Sequence, residues 1–575
     1  MISSKTRLAL LLLFVGLFAS STYIAFELNS DFGKLEVETV KINDENTQLV
    51  GLLYRPTAAL VENRHPGIVI AHGISESKEM MSNLGLELAR RGYVVLCLDL
   101  PGHGNSDGTI EQARSEPDLG VQAGIQYLSS LNYVNSSAIA LVGHSLGAGA
   151  VRAVDSEKTQ TSATVLIGGG IGASVQGSQY GILNSTSPKN LLIVVGEYDV
   201  LFNLTELTAN DLPTVFNSGF PIEIDVLYGY FENQTARKLV VPATTHLFES
   251  VDTKVIQETI MWMQNAFGTK TTPTSIGNTN TIYLQREISI LIAIVGLFGA
   301  VFLVYNPLAT ALNIRPKKEK TINNNQESER FKAYLVWGIL NSALFFPMIA
   351  AGAVVLFPPL VFGSSIAWWV FATGIIGMLL IWKKRPSLSE NRIMLKATLK
   401  DAFFNRQIVI VCILFLMLLT TANLLQSFYS INLRVLAPIF QGLSSSRRIL
   451  CFFTFIPFFL VYFIAEGLYL HELHGTKTWR GNWIEAGNYM RVVFAKIAPF
   501  LAILCLQYLP KIFFNIWVFP SFIGFISEFL WLIVPIFIIT SVSSIWFHRN
   551  TLSIASGAVF NTLLLSWISS VVFPF

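Results

Sequence analysis

Ala138-Ile139-Ala140-Leu141-Val142-Gly143-His144-Ser145-Leu146-Gly147-Ala148-Gly149-Ala150 is the stretch that decides the fold. Its first five residues are apolar and rich in branched side chains, as a strand buried on both faces of a parallel sheet should be. Gly143 to Gly147 then reads as a sharp turn, and the small residues after it as the start of a helix. A strand, a tight corner and a helix place Ser145 on strained backbone with its hydroxyl held above the sheet, and the flanking glycines leave room for strand and helix to approach. The five-residue pattern alone is common in a chain with 40 glycines, where a plain tight turn is the rival reading. The strand–turn–helix setting favours a nucleophile.

Outward from this corner the pattern repeats. The runs at His65–Ala71, Tyr93–Leu98, Thr164–Ile167, Leu191–Val195 and Lys238–Val241 read as buried strands, and Met81–Arg91, Leu119–Leu131 and Val255–Phe267 show helical periodicity. This is α/β alternation with a mostly parallel sheet and helices on both faces, covering residues 35–268. Residues 269–281, rich in Thr, Asn, Pro and Gly, read as a linker.

A serine hydroxyl needs a base, and the base an orienting acid, in the chain order Ser, acid, His for this kind of sheet. Asp199 and Glu197 both follow the strand ending at Val195, and His246 follows the strand ending at Val241. Both places lie past strand carboxyl ends, where such sheets build their sites. Asp199 is the expected acid and Glu197 its competitor. The turn His72-Gly73-Ile74 after another strand offers the Ile74 amide to a tetrahedral oxyanion, and Leu146 offers the second. His72 reads as a residue that holds the turn, and Asp99, which precedes the serine, as a structural acid. No metal or organic cofactor is implied.

The segments 71–79, 98–107, 141–150, 195–199 and 244–249 resemble the successive motifs of the α/β-hydrolase superfamily, closest to its dienelactone-hydrolase-like and small esterase or peptidase branches. The resemblance extends over about residues 35–267. It implies an eight-stranded sheet and a Ser145–His246–Asp199 triad cleaving an ester, thioester or amide. Only 54 positions separate Ser145 from Asp199, too few for a large helical cap between them, so residues 202–236 are the expected lid.

The rest of the chain has another character. Hydrophobic residues make up 52% of the sequence and charged ones 13%, which excludes a single soluble domain, and four Cys exclude a disulfide scaffold. A net charge of +3 gives no argument for nucleic acid. Residues 1–28 read as a transmembrane anchor, with a cleaved signal peptide as the alternative. Residues 282–575 contain about eight further spans, nine with the anchor, so the fold class is an α/β-hydrolase domain joined to an all-α polytopic membrane domain. With the amino end inside, the inside segments hold nineteen Lys and Arg against five outside, which places the hydrolase domain outside a cell membrane. The stretch 512–526, too short to span and carrying Pro520, is expected to be re-entrant.

Arg434, Arg447 and Arg448 break the charge rule in one outer loop. They are expected either to grip the anionic part of a lipid or acylated substrate or to anchor the hydrolase domain. Glu466, with His471, Glu472 and His474 nearby, reads as a solvated helix end, with a proton or metal site as the alternative. The expected partners are the lipid bilayer and a small-molecule, lipid or peptide acyl substrate; oligomeric state is open. An acyltransferase with the same triad, or a transporter with a non-catalytic hydrolase-fold domain, are the rival functions.

Overall fold

The computed structural model describes residues 4–575 apart from 45–46, 159–160, 172–180, 182, 269–275, 315–326, 385–387, 436, 444 and 475–481. The first apolar run is a single helix, α1 (Ser4–Asn29). An antiparallel pair follows, β1 (Leu35–Asp44) and β2 (Thr47–Pro56), and then the alternation: β3 (His65–Ala71), α2 (Ser82–Ala89), β4 (Val94–Asp99), α3 (Val121–Ser130), β5 (Val134–His144), α4 (Leu146–Lys158), β6 (Thr161–Ile167), β7 (Leu191–Val194), a one-turn α5 (Leu204–Glu206), β8 (Leu227–Tyr228), β9 (Arg237–Val240) and α6 (Thr253–Phe267).

The sheet order is β1-β2-β4-β3-β5-β6-β7-β9-β8. From β4 to β9 the strands are parallel, while β1, β2 and β8 add antiparallel pairs at the edges. That makes nine strands where eight were expected, the addition being the two-residue β8. Side chains alternate across the sheet, so Val69, Leu96 and Leu141 meet α3 and α4 on one face. Ile70, Cys97 and Val142 meet α2 and α6 on the other. Each such side chain, when fully buried, contributes about 1.5–3 kcal/mol. The parallel strands all end at one edge, and the turns after β3, β5, β7 and β9 converge there.

The second half is helical: α7 (Tyr283–Ala311), α8 (Glu327–Val355), α9 (Gly363–Lys384), α10 (Leu388–Phe404), α11 (Arg406–Tyr429), a small hairpin of β10 (Leu433–Val435) and β11 (Ala437–Phe440), α12 (Ser446–His474), α13 (Asn482–Phe514), α14 (Ser521–Glu528), α15 (Leu530–Thr551) and α16 (Ile554–Val572). Among the described residues, nine helical runs are long and apolar enough to cross a membrane, α1 and eight in this half, with α14 and α15 counted as one run. In the stretch expected to be re-entrant, α13 continues to Phe514, and Pro520 then caps the eight-residue α14. The chain end returns to the α/β half, where Phe575 donates its N–H to the Gly102 carbonyl at 3.2 Å and accepts from Ile110 N–H at 2.8 Å.

Three expectations need correction. Glu466 is not at a solvated helix end, because α12 runs two turns beyond it and encloses it. It pairs with buried Lys496 at 2.6 Å and accepts a long hydrogen bond from Tyr334. The side chains of His471, Glu472 and His474 lie outside the described residues. Nor do the three arginines meet a substrate site. Arg434 pairs with Glu287 and donates to the Glu79 carbonyl at 2.6 Å. Arg448, buried, spends its donors on the carbonyls of Gly102, Gly104, Ser570 and Phe573. Arg447 donates to Gly108 carbonyl and lies over the Phe575 ring. The forks of Arg434 and Arg448 are filled by these partners and Arg447 adds one donor, so the three clamp the α/β half to the helical half. Arg286 adds a fourth tie, reaching Asn29, Tyr54, Ser82 and Asn83. The third correction, to the lid, concerns the site itself.

Candidate active site

Ser145 has φ +51°, a left-handed conformation that a residue with a Cβ rarely adopts. The corner is possible because of its glycines. A Cβ on Gly143 would stand 2.3 Å from the Gly147 carbonyl oxygen, and one on Gly147 would stand 2.4 Å from that of Ala71. With those clashes absent, α4 starts directly after Ser145 and points its first amides into the turn.

The structure brings Ser145, His246 and Asp199 together from the ends of β5, β9 and β7. Ser145 Oγ lies 2.9 Å from His246 Nε2, and His246 Nδ1 lies 2.7 Å from Asp199 Oδ2. A second Asp199 oxygen accepts from Leu201 N–H at 2.8 Å, which fixes the carboxylate. Glu197, the competing acid, is exposed to solvent. The N–H groups of Ile74 and Leu146 donate to no acceptor among the described residues, and Ile74 lines the pocket in front of Ser145. His72 donates from Nδ1 to the Gly73 carbonyl at 2.7 Å and accepts from Leu100 N–H through Nε2, holding the turn that carries Ile74. Asp99 accepts from Lys78 and from Asn105 N–H, tying the loops beside the site.

Beneath the triad is a buried acid–histidine cluster that the sequence reading did not single out. His144 Nδ1 faces Glu76 at 3.0 Å, its Nε2 faces Glu249 at 3.4 Å, and its ring packs on His246 at 5.1 Å. Burial alone would hold His144 neutral, but the Glu76 and Glu249 carboxylates overcome it and drive its pKa well above the ordinary value. Burial also opposes charge on His246, and Asp199, assisted by Glu249, overrides it to about 9. Glu249 is pushed upward by burial and by Asp199, while its other oxygen accepts from Gly196 N–H at 2.6 Å. His144, His246 and Glu249 are close enough to hold a metal ion, yet both ring nitrogens of each histidine already face a partner, so the group suits proton chemistry rather than ligation. The sequence signal was the recurrence of acids three residues after Gly73 and after His246.

The roof comes from an unexpected place. Nothing from residues 202–236, the expected lid, lines the pocket of about 30 Å³ before Ser145. Phe525, Glu528, Phe529 and Leu532 of the helical half do. Phe525 packs edge-on against the His246 ring at 5.4 Å, and Glu528 accepts from Leu247 N–H at 3.0 Å. None of Arg434, Arg447 and Arg448 lines this pocket.

The sheet order, the Gly143–Gly147 turn and the placing of the three side chains at one sheet edge define an α/β-hydrolase fold, joined to a helical half whose runs are long and apolar enough to cross a membrane. A family described as serine aminopeptidase, S33, matches residues 62–192. Among solved structures, an esterase of Pyrococcus furiosus aligns with 19% identity and a TM-score of 0.31, covering 41% of this chain and 94% of that one. A dienelactone hydrolase from Anabaena variabilis aligns with 19% identity and a TM-score of 0.28, covering 40% and 98%. A hypothetical protein from Pseudomonas aeruginosa aligns with 16% identity and a TM-score of 0.30, covering 40% and 94%. No curated protein matches the chain.

Proposed function

We propose that the chain is a membrane-bound serine hydrolase that cleaves an ester, thioester or amide through an acyl-enzyme. The observation that carries this reading is the continuous hydrogen-bond chain from Ser145 Oγ through His246 to Asp199, beside two free amides. Ser145 Oγ attacks the acyl carbonyl as His246 Nε2 takes its proton. The amides of Ile74 and Leu146 hold the oxyanion, and Asp199 keeps the Nδ1 proton in place and balances the imidazolium. His246 then gives its proton to the departing alcohol, thiol or amine. A water deprotonated by the same nitrogen cleaves the acyl-enzyme, releasing the acid and restoring the Ser145 hydroxyl.

The test is labelling of membranes containing the full chain with a fluorophosphonate, which phosphonylates an activated serine. Labelling of the unaltered chain and none of Ser145→Ala is expected, with hydrolysis of a small ester lost in parallel by a factor on the order of 10⁴–10⁶. Equal labelling of both would remove Ser145 as nucleophile, and none of either would leave the hydrolase half a binding module.

A further inference from the structure

The pocket at Ser145 does not end where the hydrolase half ends. Phe529 and Leu532 form its far wall, and the same two side chains line a second, narrow cavity of about 50 Å³ among α9, α15 and α16. Trp369, Phe537, Leu565 and Ile568 line that cavity, and Ser569 is the single hydroxyl among the described residues that line it. The Trp369 indole N–H is already spent on the Asn341 carbonyl at 2.8 Å. Across the Phe529 and Leu532 side chains that the two spaces share, the lining is polar on one side, where Glu76, His144 and Glu528 surround the serine, and apolar on the other. A polar group carried into the apolar part would lose its hydrogen bonds to water and gain none. Water has too few partners there to be held. An unbranched hydrocarbon chain meets neither objection, and its carbonyl end would stop at Ser145.

We propose that this intramembrane cavity receives the acyl chain of the substrate, so that the enzyme acts on long-chain acyl esters, thioesters or amides, with the carbonyl at Ser145 and the chain passing Phe529 and Leu532 into the space between α9, α15 and α16. The proposal rests on the serine hydrolase reading and adds the substrate class to it. It also gives the helical half a role in the reaction: α14 roofs the triad, and the start of α15 joins the aqueous edge of the sheet to a site at membrane depth. A fatty acylglycerol and a fatty-acylated peptide share this chemistry and differ only in the leaving group.

The experiment uses the full chain in lipid nanodiscs and p-nitrophenyl esters from acetyl to decanoyl, which vary the acyl chain at a constant leaving group. Each methylene buried in an apolar site favours the transition state by about fourfold, so kcat/KM should rise on the order of a hundredfold from butanoyl to octanoyl. Leu565→Trp and, separately, Ile568→Trp fill the cavity far from Ser145 and should lower the octanoyl-to-butanoyl ratio at least about tenfold. Labelling by a short fluorophosphonate verifies that each variant retains a reactive Ser145. A flat series, or a rise that both tryptophan variants leave intact, overturns the proposal while the hydrolase reading stands. Absence of Ser145-dependent labelling and hydrolysis at every chain length in the unaltered protein refutes both. Palmitoyl-glycerol and a palmitoylated peptide then separate the sources: turnover of either supports the proposal and identifies the leaving group, and turnover of neither counts against it.

Discussion

The pH dependence of the reaction follows from the surroundings of His246. In the proposed reaction His246 is the general base and must be neutral before it can accept the Ser145 proton. Burial favours the neutral ring, but Asp199 at 2.7 Å and Glu249 at 3.7 Å favour the imidazolium and bring the pKa to about 9. The sign is then fixed: kcat/KM for a short neutral ester should rise about tenfold per pH step of one below about pH 9 and level off above it. The same proton stabilises the fold. The folded value of about 9 lies above the unfolded value of about 6.5, so the proton contributes about 3 kcal/mol at pH below about 6.5, and this is lost as pH rises through about 9. Glu249→Gln removes one of the two carboxylates. A full charge at 3.7 Å in surroundings of effective dielectric about 20 would be worth about 4 kcal/mol. Glu249 is itself driven toward its neutral form, so only a part is expressed, and the limb should move down by about one pH step. The assay is the second-order rate of fluorophosphonate labelling of the full chain between pH 5.5 and 10, with the rate of small-ester hydrolysis beside it. A profile flat from pH 6 to 9, or a limb that Glu249→Gln does not displace, would refute the reasoning.

Other outcomes follow from the same contacts. Asp199→Asn should lower kcat/KM by about 10⁴-fold, because the Nδ1 proton loses its acceptor, whereas Glu197→Gln, exposed and away from the ring, should leave the rate within about twofold; steady-state kinetics on one short ester decides between them. Arg448→Ala removes the Arg448 donors from four buried carbonyls, of which Gly102 keeps the Phe575 N–H, and should cost about 3 kcal/mol or more, read as faster proteolytic separation of the two halves. Lys496→Met strands the Glu466 carboxylate inside the helical half and should cost about 3–5 kcal/mol in thermal stability, most of it recovered when Glu466→Gln is added.

How much of this was legible in the sequence depends on whether the controlling contact is local. The strand at Ala138–Val142 is decided by its own residues, since a run of Val, Ile and Leu of that length is stable only with both faces covered, and the turn after it is decided by Gly143 and Gly147. The order of Ser145, Asp199 and His246 was legible because each follows a strand of that kind. The β1–β2 hairpin was not, because one side of β1 meets solvent and its pattern is mostly polar. Distance along the chain sets the other limit. A charge in an apolar span or an outer loop shows that some partner exists, but the partners of Arg448 are backbone carbonyls of Gly102 and Gly104, which carry no mark in the sequence. Lys496 was hidden by hydropathy: one lysine in a long apolar run leaves the run looking like any other span, and only the fold shows it facing Glu466.

The roof of the site makes the same point with consequences for chemistry. Phe525 and Leu532 are apolar residues among many in one 31-residue run from Ser521 to Thr551, and composition assigns them all to lipid. What separates them is Glu528, an acid inside that run, where α14 gives way to α15. A carboxyl group inside so apolar a run has a cost that a simple span would avoid. Here it accepts from Leu247 N–H, next to His246, and so ties the start of α15 to the loop that carries His246. A helix break at an acidic residue is therefore the sequence signal that could have moved the lid from residues 202–236 to the helical half. It also explains why a hydrolase of this kind would retain so large an apolar partner: the helices complete the pocket before Ser145, which the sheet and its loops leave open on that side.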